Sequence, residues 1–181
     1  STVPALDMLG PGGGESAGIS DDDTMVVVVD LRAVLAPGDG RAVGAEQPLP
    51  EGFPEVVLSE SGAPSIAMPA GFATPGQTLS AARIAGAGPA VDAAQTVLVQ
   101  YRTFVARTGE VLDDTWESGA VSIPLDQAFP GFAESVVGRT VGSQVIIMVP
   151  SGGGYLPEEL EPVGLSEDDV LVYVVDILDA G

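Results

Sequence analysis

The alternation of apolar and polar positions picks out strands and one helix along the second half of the chain. From Thr96 to Val105 the residues alternate through the second half of the run, as a half-buried strand requires. Arg107-Thr108-Gly109-Glu110 interrupts the run with a glycine that can take a positive φ, and Val111-Leu112-Asp113-Asp114 returns it. The two runs are therefore predicted to form a hairpin. Residues 143–149 and 170–178 are almost unbroken apolar runs, which predicts buried strands. Thr78 to Ala85, ending in the turn-rich Gly86-Ala87-Gly88-Pro89, is a further candidate strand, and Ile123-Pro124-Leu125 is short and extended. One segment has helical spacing: Pro130 to Gly138 places Phe132, Val136 and Val137 at i, i+4 and i+5, with Pro at its start and Gly at its stop. Together these elements predict an α+β domain, a sheet of about five strands with one short helix covering a face.

Between residues 36 and 76 the pattern dissolves. Prolines at 37, 48, 50, 54, 64, 69 and 75 exclude a long helix and argue against interior strands. An extended linker is expected, with short edge strands laid against a neighbouring domain. Ahead of it lies one half of an internal repeat. Gly18 to Leu31 matches Gly164 to Ile177 without a gap at an offset of 146, and the same offset sets Val3-Pro4 on Val149-Pro150 and Leu9 on Tyr155. The expected organisation is a C-terminal remnant of a first unit over 1–35, beginning mid-strand, a Pro/Gly-rich linker over 36–76, and a complete unit over 77–181.

Charge and composition narrow the chemistry. Among 181 residues there are 26 acidic and 6 basic side chains, a net charge of −20, with all the basic residues Arg and neither His nor Cys. Such a charge argues against nucleic acid and anionic membranes, which need basic patches. Without His or Cys no zinc finger, zinc hydrolase, thiol protease or Ser-His-Asp triad can be assembled. The acidic clusters Asp21-Asp22-Asp23, Glu158-Glu159 and Glu167-Asp168-Asp169 lack the ligand spacing and Gly of a calcium loop, so they read as solvated faces. Apolar runs such as Met25 to Val29 fall far short of the ~20 residues of a membrane helix. Ser1-Thr2-Val3-Pro4 has no signal-peptide character. The lack of cysteine decides nothing about compartment.

Val99-Gln100-Tyr101, Thr108 to Trp116, Pro130-Gly131-Phe132, Gly138 to Ser143, Val149-Pro150, Gly154-Tyr155 and Val170 to Leu178 stand in a telling order and spacing. In this the chain resembles the FK506-binding (FKBP-type) peptidyl-prolyl cis-trans isomerases over about 77–181, and through the repeat over 1–35. The resemblance implies a twisted antiparallel sheet wrapped around the short helix. A proline-sized pocket would lie between them, lined by Tyr101, Leu112, Asp113, Val121, Ala128, Phe129, Phe132, Tyr155, Leu165 and Tyr173. It further implies that the Phe129 backbone N–H and the Tyr155 hydroxyl donate to substrate carbonyls, and that Asp113 sits near the twisting carbonyl and orients Tyr101. Phe132 stands where the family usually has Trp, and Leu112 and Val121 where it usually has aromatics, which implies weakened activity. No cofactor is implied, since rotation about an amide breaks no bond.

The implied partners are proline-containing polypeptides, a macrolide of the FK506 type, and another protein chain completing the N-terminal half-unit. Neither nucleic acid nor a membrane span is among them. Likeness to tandem secreted or lipid-anchored members of high-GC Gram-positive bacteria implies an extracellular or envelope location, with the cytoplasm left open. The alternative reading is an FKBP-fold binding module, assembly module or chaperone with an impaired site.

Overall fold

The computed structural model describes residues 2–4, 18–20, 22–26, 28, 40–150, 164–166 and 168–181. The chain divides into two units, Ser1–Val34 and Leu35–Gly181. In the first, β1 (Thr2–Pro4) pairs antiparallel with β2 (Thr24–Val26), setting Thr2 opposite Val26, Val3 opposite Met25 and Pro4 opposite Thr24. A side-chain-capped turn precedes β2. The Ser20 N–H donates to Asp23 Oδ2 at 2.8 Å, and the Asp23 N–H donates to the Ser20 carbonyl at 3.0 Å.

The second unit contains β3 (Gly44–Glu46), β4 (Glu55–Leu58), β5 (Pro64–Ala67), β6 (Leu79–Gly86), β7 (Thr96–Val105), β8 (Val111–Asp114), β9 (Val121–Pro124), α1 (Pro130–Val136), β10 (Gln144–Pro150) and β11 (Val170–Ala180). Its main sheet is antiparallel, in the order β3-β6-β10-β11-β7-β8, with β9 also paired to β7. β4 and β5 form a separate hairpin. The sheet thus has seven strands where about five were expected, because β3 from the Pro-rich segment joins its edge and the short β9 pairs with β7. In the central pair, Met148 faces Val172, Val149 faces Leu171 and Pro150 faces Val170. Each of these numbers exceeds its β1–β2 counterpart by the repeat offset of 146. The turn before β11 also repeats the one before β2: Ser166 N–H donates to Asp169 Oδ2 at 2.9 Å and Asp169 N–H to the Ser166 carbonyl at 3.1 Å.

Period-2 geometry sends alternate residues of β7, β10 and β11 to opposite faces, and both faces are covered. Val99, Val145, Ile147, Val149, Leu171, Tyr173 and Val175 pack with Phe132 and Val136 of α1. On the other face Phe104, Ile146, Met148, Val170, Val172 and Val174 pack with Val56 of β4, while Leu49, Phe53, Leu58, Ile66, Met68 and Phe72 close around them. The Pro-rich segment is therefore a second layer over the sheet and belongs to the same unit. Double burial explains why β10 and β11 read as continuous apolar runs.

Polar groups tie this layer down. Asp176 of β11, 1% exposed, accepts the Ala42 N–H at 2.7 Å and a Gln144 Nε2–H at 2.7 Å, and Gln144 Oε1 accepts from Arg83 at 2.8 Å. Burial pushes the Asp176 carboxyl up to about 6, against the lowering effect of the Ala42 and Gln144 hydrogen bonds and of Arg83 and Arg41. The helix starts where Pro130 can take N1 without losing a hydrogen bond, and Gly138 after it has φ +78°, as a helix stop favours. Among the described residues no helix is long and apolar enough to cross a membrane.

Candidate functional site

The β7–β8 hairpin brings the first two candidate residues together. Gly109 at φ +71° closes the turn, and the return strand sets Asp113 opposite Thr103, diagonal to Tyr101 on the helix side of the sheet. The Tyr101 hydroxyl donates to Asp113 Oδ2 at 2.5 Å, while Asp113 Oδ1 accepts the Asp114 N–H at 2.8 Å. Both carboxylate oxygens are thus engaged, and the phenol is fixed at the edge of the apolar cluster beneath α1. Thr115, which carries no signal of its own in the sequence, locks the backbone beneath: its hydroxyl accepts the Tyr101 N–H at 2.8 Å and its N–H donates to the Tyr101 carbonyl at 3.0 Å.

The apolar floor lies between α1 and the sheet. Phe132, Leu165 and Tyr173 are buried there, and Tyr101, Leu112, Val121, Ala128 and Phe129 pack against the same cluster half-buried. Ile123, which the sequence marks only as part of a short extended stretch, joins this cluster too. The Phe129 ring lies 5.5 Å from that of Tyr173 and 5.9 Å from that of Phe132, tilted to both. The family resemblance singles out Phe129 for its backbone; its ring also supplies an aromatic wall that smaller Phe132 and aliphatic Leu112 and Val121 do not. Such pairs contribute roughly 0.5–1.5 kcal/mol beyond area burial. No described residue accepts the Phe129 backbone N–H. Tyr155 lies outside the described residues.

Beside the pocket, Arg107 in the β7–β8 turn grips Asp169 with two hydrogen bonds, Nε to Oδ1 at 2.8 Å and Nη2 to Oδ2 at 3.1 Å. Asp169 also accepts from the Ser166 N–H and hydroxyl, one residue after Leu165. The Arg107 hydrogen bond, helped by Ser166 and opposed by burial, holds the Asp169 carboxyl down at about 2. Leu165 is therefore anchored through its neighbour Ser166 to Asp169, just ahead of β11, and through Asp169 to Arg107 in the turn. Chemically, the site offers an aromatic-rich apolar cluster, a phenol–carboxylate pair at its edge and a backbone N–H that no described residue accepts. It can grip a small apolar ring and hydrogen-bond a carbonyl.

Comparison with known proteins bears on this arrangement. An "FK506-binding protein" of Streptomyces anulatus is 27% identical over 96 residues, covering 51% of this chain and 77% of that protein. Among solved structures, FkpA from Escherichia coli aligns with a TM-score of 0.50 at 21% identity, over 69% of this chain and 51% of its own; the present chain thus spans about half of that one. A peptidyl-prolyl cis-trans isomerase from Pseudomonas syringae pv. tomato aligns at 0.51 and 20% identity, over 57% and 75% respectively. The N-terminal domain of FKBP42 from Arabidopsis thaliana aligns at 0.53 and 16% identity, over 76% and 99%. These likenesses show the fold, an antiparallel sheet with one short helix. A model of the family "FKBP-type peptidyl-prolyl cis-trans isomerase" matches residues 88–178. Because that match spans half of the chain, from the turn before β7 into the last strand, the chain belongs to the FKBP-type peptidyl-prolyl cis-trans isomerase family.

Proposed function

We propose that the chain catalyses cis-trans isomerisation of X-Pro bonds in exported or envelope proteins, at a reduced rate for its family. The observation that carries the reading is the aromatic pocket of Phe129, Phe132 and Tyr173 with the Tyr101–Asp113 pair at its edge. Amide rotation faces a barrier of about 18–20 kcal/mol because the twisted amide loses resonance. A dry pocket that fits the twisted form better than the planar one lowers it with no nucleophile or metal. In this reading the prolyl ring rests on Phe132 between Tyr101 and Tyr173, and Leu112, Val121, Ala128 and Leu165 form the walls. The Phe129 N–H and the Tyr155 hydroxyl hold the flanking carbonyls, and Asp113 faces the rotating one. The location outside the cytoplasm rests on the likeness of the tandem, Pro-rich arrangement to secreted members.

The test is cis-to-trans relaxation of a Leu-Pro or Phe-Pro peptide with the wild type and with Tyr101→Ala. Acceleration by the wild type and its loss in the variant are expected. A wild-type rate no faster than the uncatalysed one would sink the proposal. A macrolide of the FK506 type is expected to raise the melting temperature, and no shift at saturating ligand would mean that the pocket is closed to it.

A second reading, a binding or assembly module, draws on a different observation. β1–β2 repeats the β10–β11 register and its Ser-Asp turn residue for residue. Val26 and Val28 are 72% and 84% exposed, whereas their counterparts Val172 and Val174 are 0% exposed. This supports residues 1–35 as the closing hairpin of another FKBP-like unit, with 36–76 both connecting it to the FKBP-like domain of 77–181 and covering that domain's sheet. The rest of the first sheet would come from another protein chain. Stoichiometric copurification of a chain that is lost on Val26→Asp is the expected result; a monomer unaffected by that change would discard this reading.

A further inference from the structure

Asp113 is exposed and stands on β8, an edge strand that pairs only with β7 among the described residues and whose register slips between Thr103 and Phe104. Its placement against Tyr101 therefore needs support from outside the ladder. That support lies on the opposite face. Arg102 stands directly across from Asp114, and alternation turns both side chains away from the pocket. Arg102 Nη2 donates to Asp114 Oδ2, and Nη1 donates to the Pro64 carbonyl of β5 at 3.0 Å. Asp114 Oδ1 accepts the Trp116 N–H at 2.8 Å, so the residue next to Asp113 is held from both sides. Burial raises the Asp114 carboxyl, but the Arg102 hydrogen bond, the Trp116 N–H and the Arg102 charge outweigh it and hold it below the usual range. The guanidinium keeps this position although its Nε is buried and finds no acceptor among the described residues.

We propose that Arg102 is a positioning residue of the isomerase site: braced on the Pro64 carbonyl of the β4–β5 hairpin, it fixes Asp114 and thereby sets Asp113 against the Tyr101 hydroxyl. The Pro-rich layer thus controls a pocket that it does not line. This rests on the isomerase reading, and its test has one arm that does not. In the first arm, Arg102→Ala lowers kcat about fivefold with KM little changed, and Arg102→Lys recovers part of the loss. In an Asp113→Ala background the same change costs less than about twofold, because the group through which Arg102 acts is gone. Equal losses in both backgrounds overturn the proposal. Should Arg102→Ala not fold, Arg102→Gln, which keeps a donor for Pro64 and loses the charge on Asp114, enters the same cycle: a smaller loss in the Asp113→Ala background upholds the brace, and equal losses overturn it. In the second arm, NMR follows the Asp113 carboxyl carbon and the Tyr101 ring. Arg102→Ala is expected to move both while Leu165 and Val136 stay in place. Unmoved Asp113 and Tyr101 signals overturn the brace; moved signals in a protein without rotamase activity uphold it and sink only the isomerase reading.

Discussion

Asp176 shows how a single side chain couples the fold to pH. Its folded carboxyl titrates near 6, well above an unfolded aspartate, so between about pH 4 and 6 the folded chain holds a proton that the unfolded chain has released. The stability that this group contributes is therefore full below about 4 and is lost as pH rises through 6, a change of roughly 2–3 kcal/mol. Asp169 has the opposite sign: held down at about 2, it stabilises above the ordinary carboxylate value and ceases to as pH falls through 2. Urea unfolding from pH 4 to 7 should show Asp176→Asn losing the pH slope of the wild type. A slope unchanged by the substitution would contradict this. At the pocket, the aliphatic Leu112 and Val121 are the residues to enlarge. Leu112→Phe with Val121→Phe is expected to raise affinity for an FK506-type macrolide about tenfold or more by titration calorimetry, since each ring adds roughly 1 kcal/mol of apolar contact. Unchanged or weaker affinity would show that the Phe129 ring already fills that space.

Glycines at two kinds of position separate steric from conformational demand among the elements. A Cβ on Gly86, where β6 ends, would stand 2.2 Å from the Val141 carbonyl oxygen, a backbone atom that cannot step aside without moving the strand connection. A Cβ on Gly109 meets nothing within 4 Å, but φ there is +71°. Gly86→Ala should therefore cost about 3 kcal/mol or more and Gly109→Ala about 1–2 kcal/mol, measured by chemical denaturation. The reverse order would show that the β6 end relaxes freely. The same local logic decides what is legible in the sequence. β7, its turn and β8 are legible to the residue, because alternation and a turn glycine are local signals. The helix is legible because Pro130 and Gly138 punctuate it. Strands β3, β4 and β5 carry no periodic signal, being only three or four residues long, and their order comes from packing on the sheet. Within the candidate site, Tyr101 and Asp113 follow from the hairpin and the family pattern. The aromatic stacking of Phe129 and the latch of Thr115 depend on tertiary contacts that spacing does not encode. Arg102 and Asp114 do leave a trace, opposite charges on facing strands, but their tie to Pro64 spans a separation of 38 residues and has no local signature.

At the scale of the molecule, the governing fact is that the central strands β7, β10 and β11 of the second unit have no wet face. Phe104, Ile146, Met148, Val170, Val172 and Val174 lie under residues that the sequence marks only as proline-rich. Were the segment a passive tether, a chain beginning at Gln77 would fold with unaltered stability. The packing argues otherwise: that chain would expose a contiguous apolar surface across its central strands and free the buried Asp176 from its Ala42 donor. It should bind a hydrophobic dye and melt well below the 35–181 unit. Within the longer unit, Val56→Ala should cost about 2 kcal/mol, from two lost methyl groups and the cavity behind them. Trp116, the single tryptophan, reports on the same contact, since its indole lies near the Gly62 turn of the covering hairpin. Its emission should shift to the red when the hairpin is removed and stay in place in Val57→Ala, where the side chain is 56% exposed. Dye binding absent from the shortened chain, with an unshifted Trp116, would return the segment to the role of a linker. It would also remove the platform on which the Arg102 brace stands.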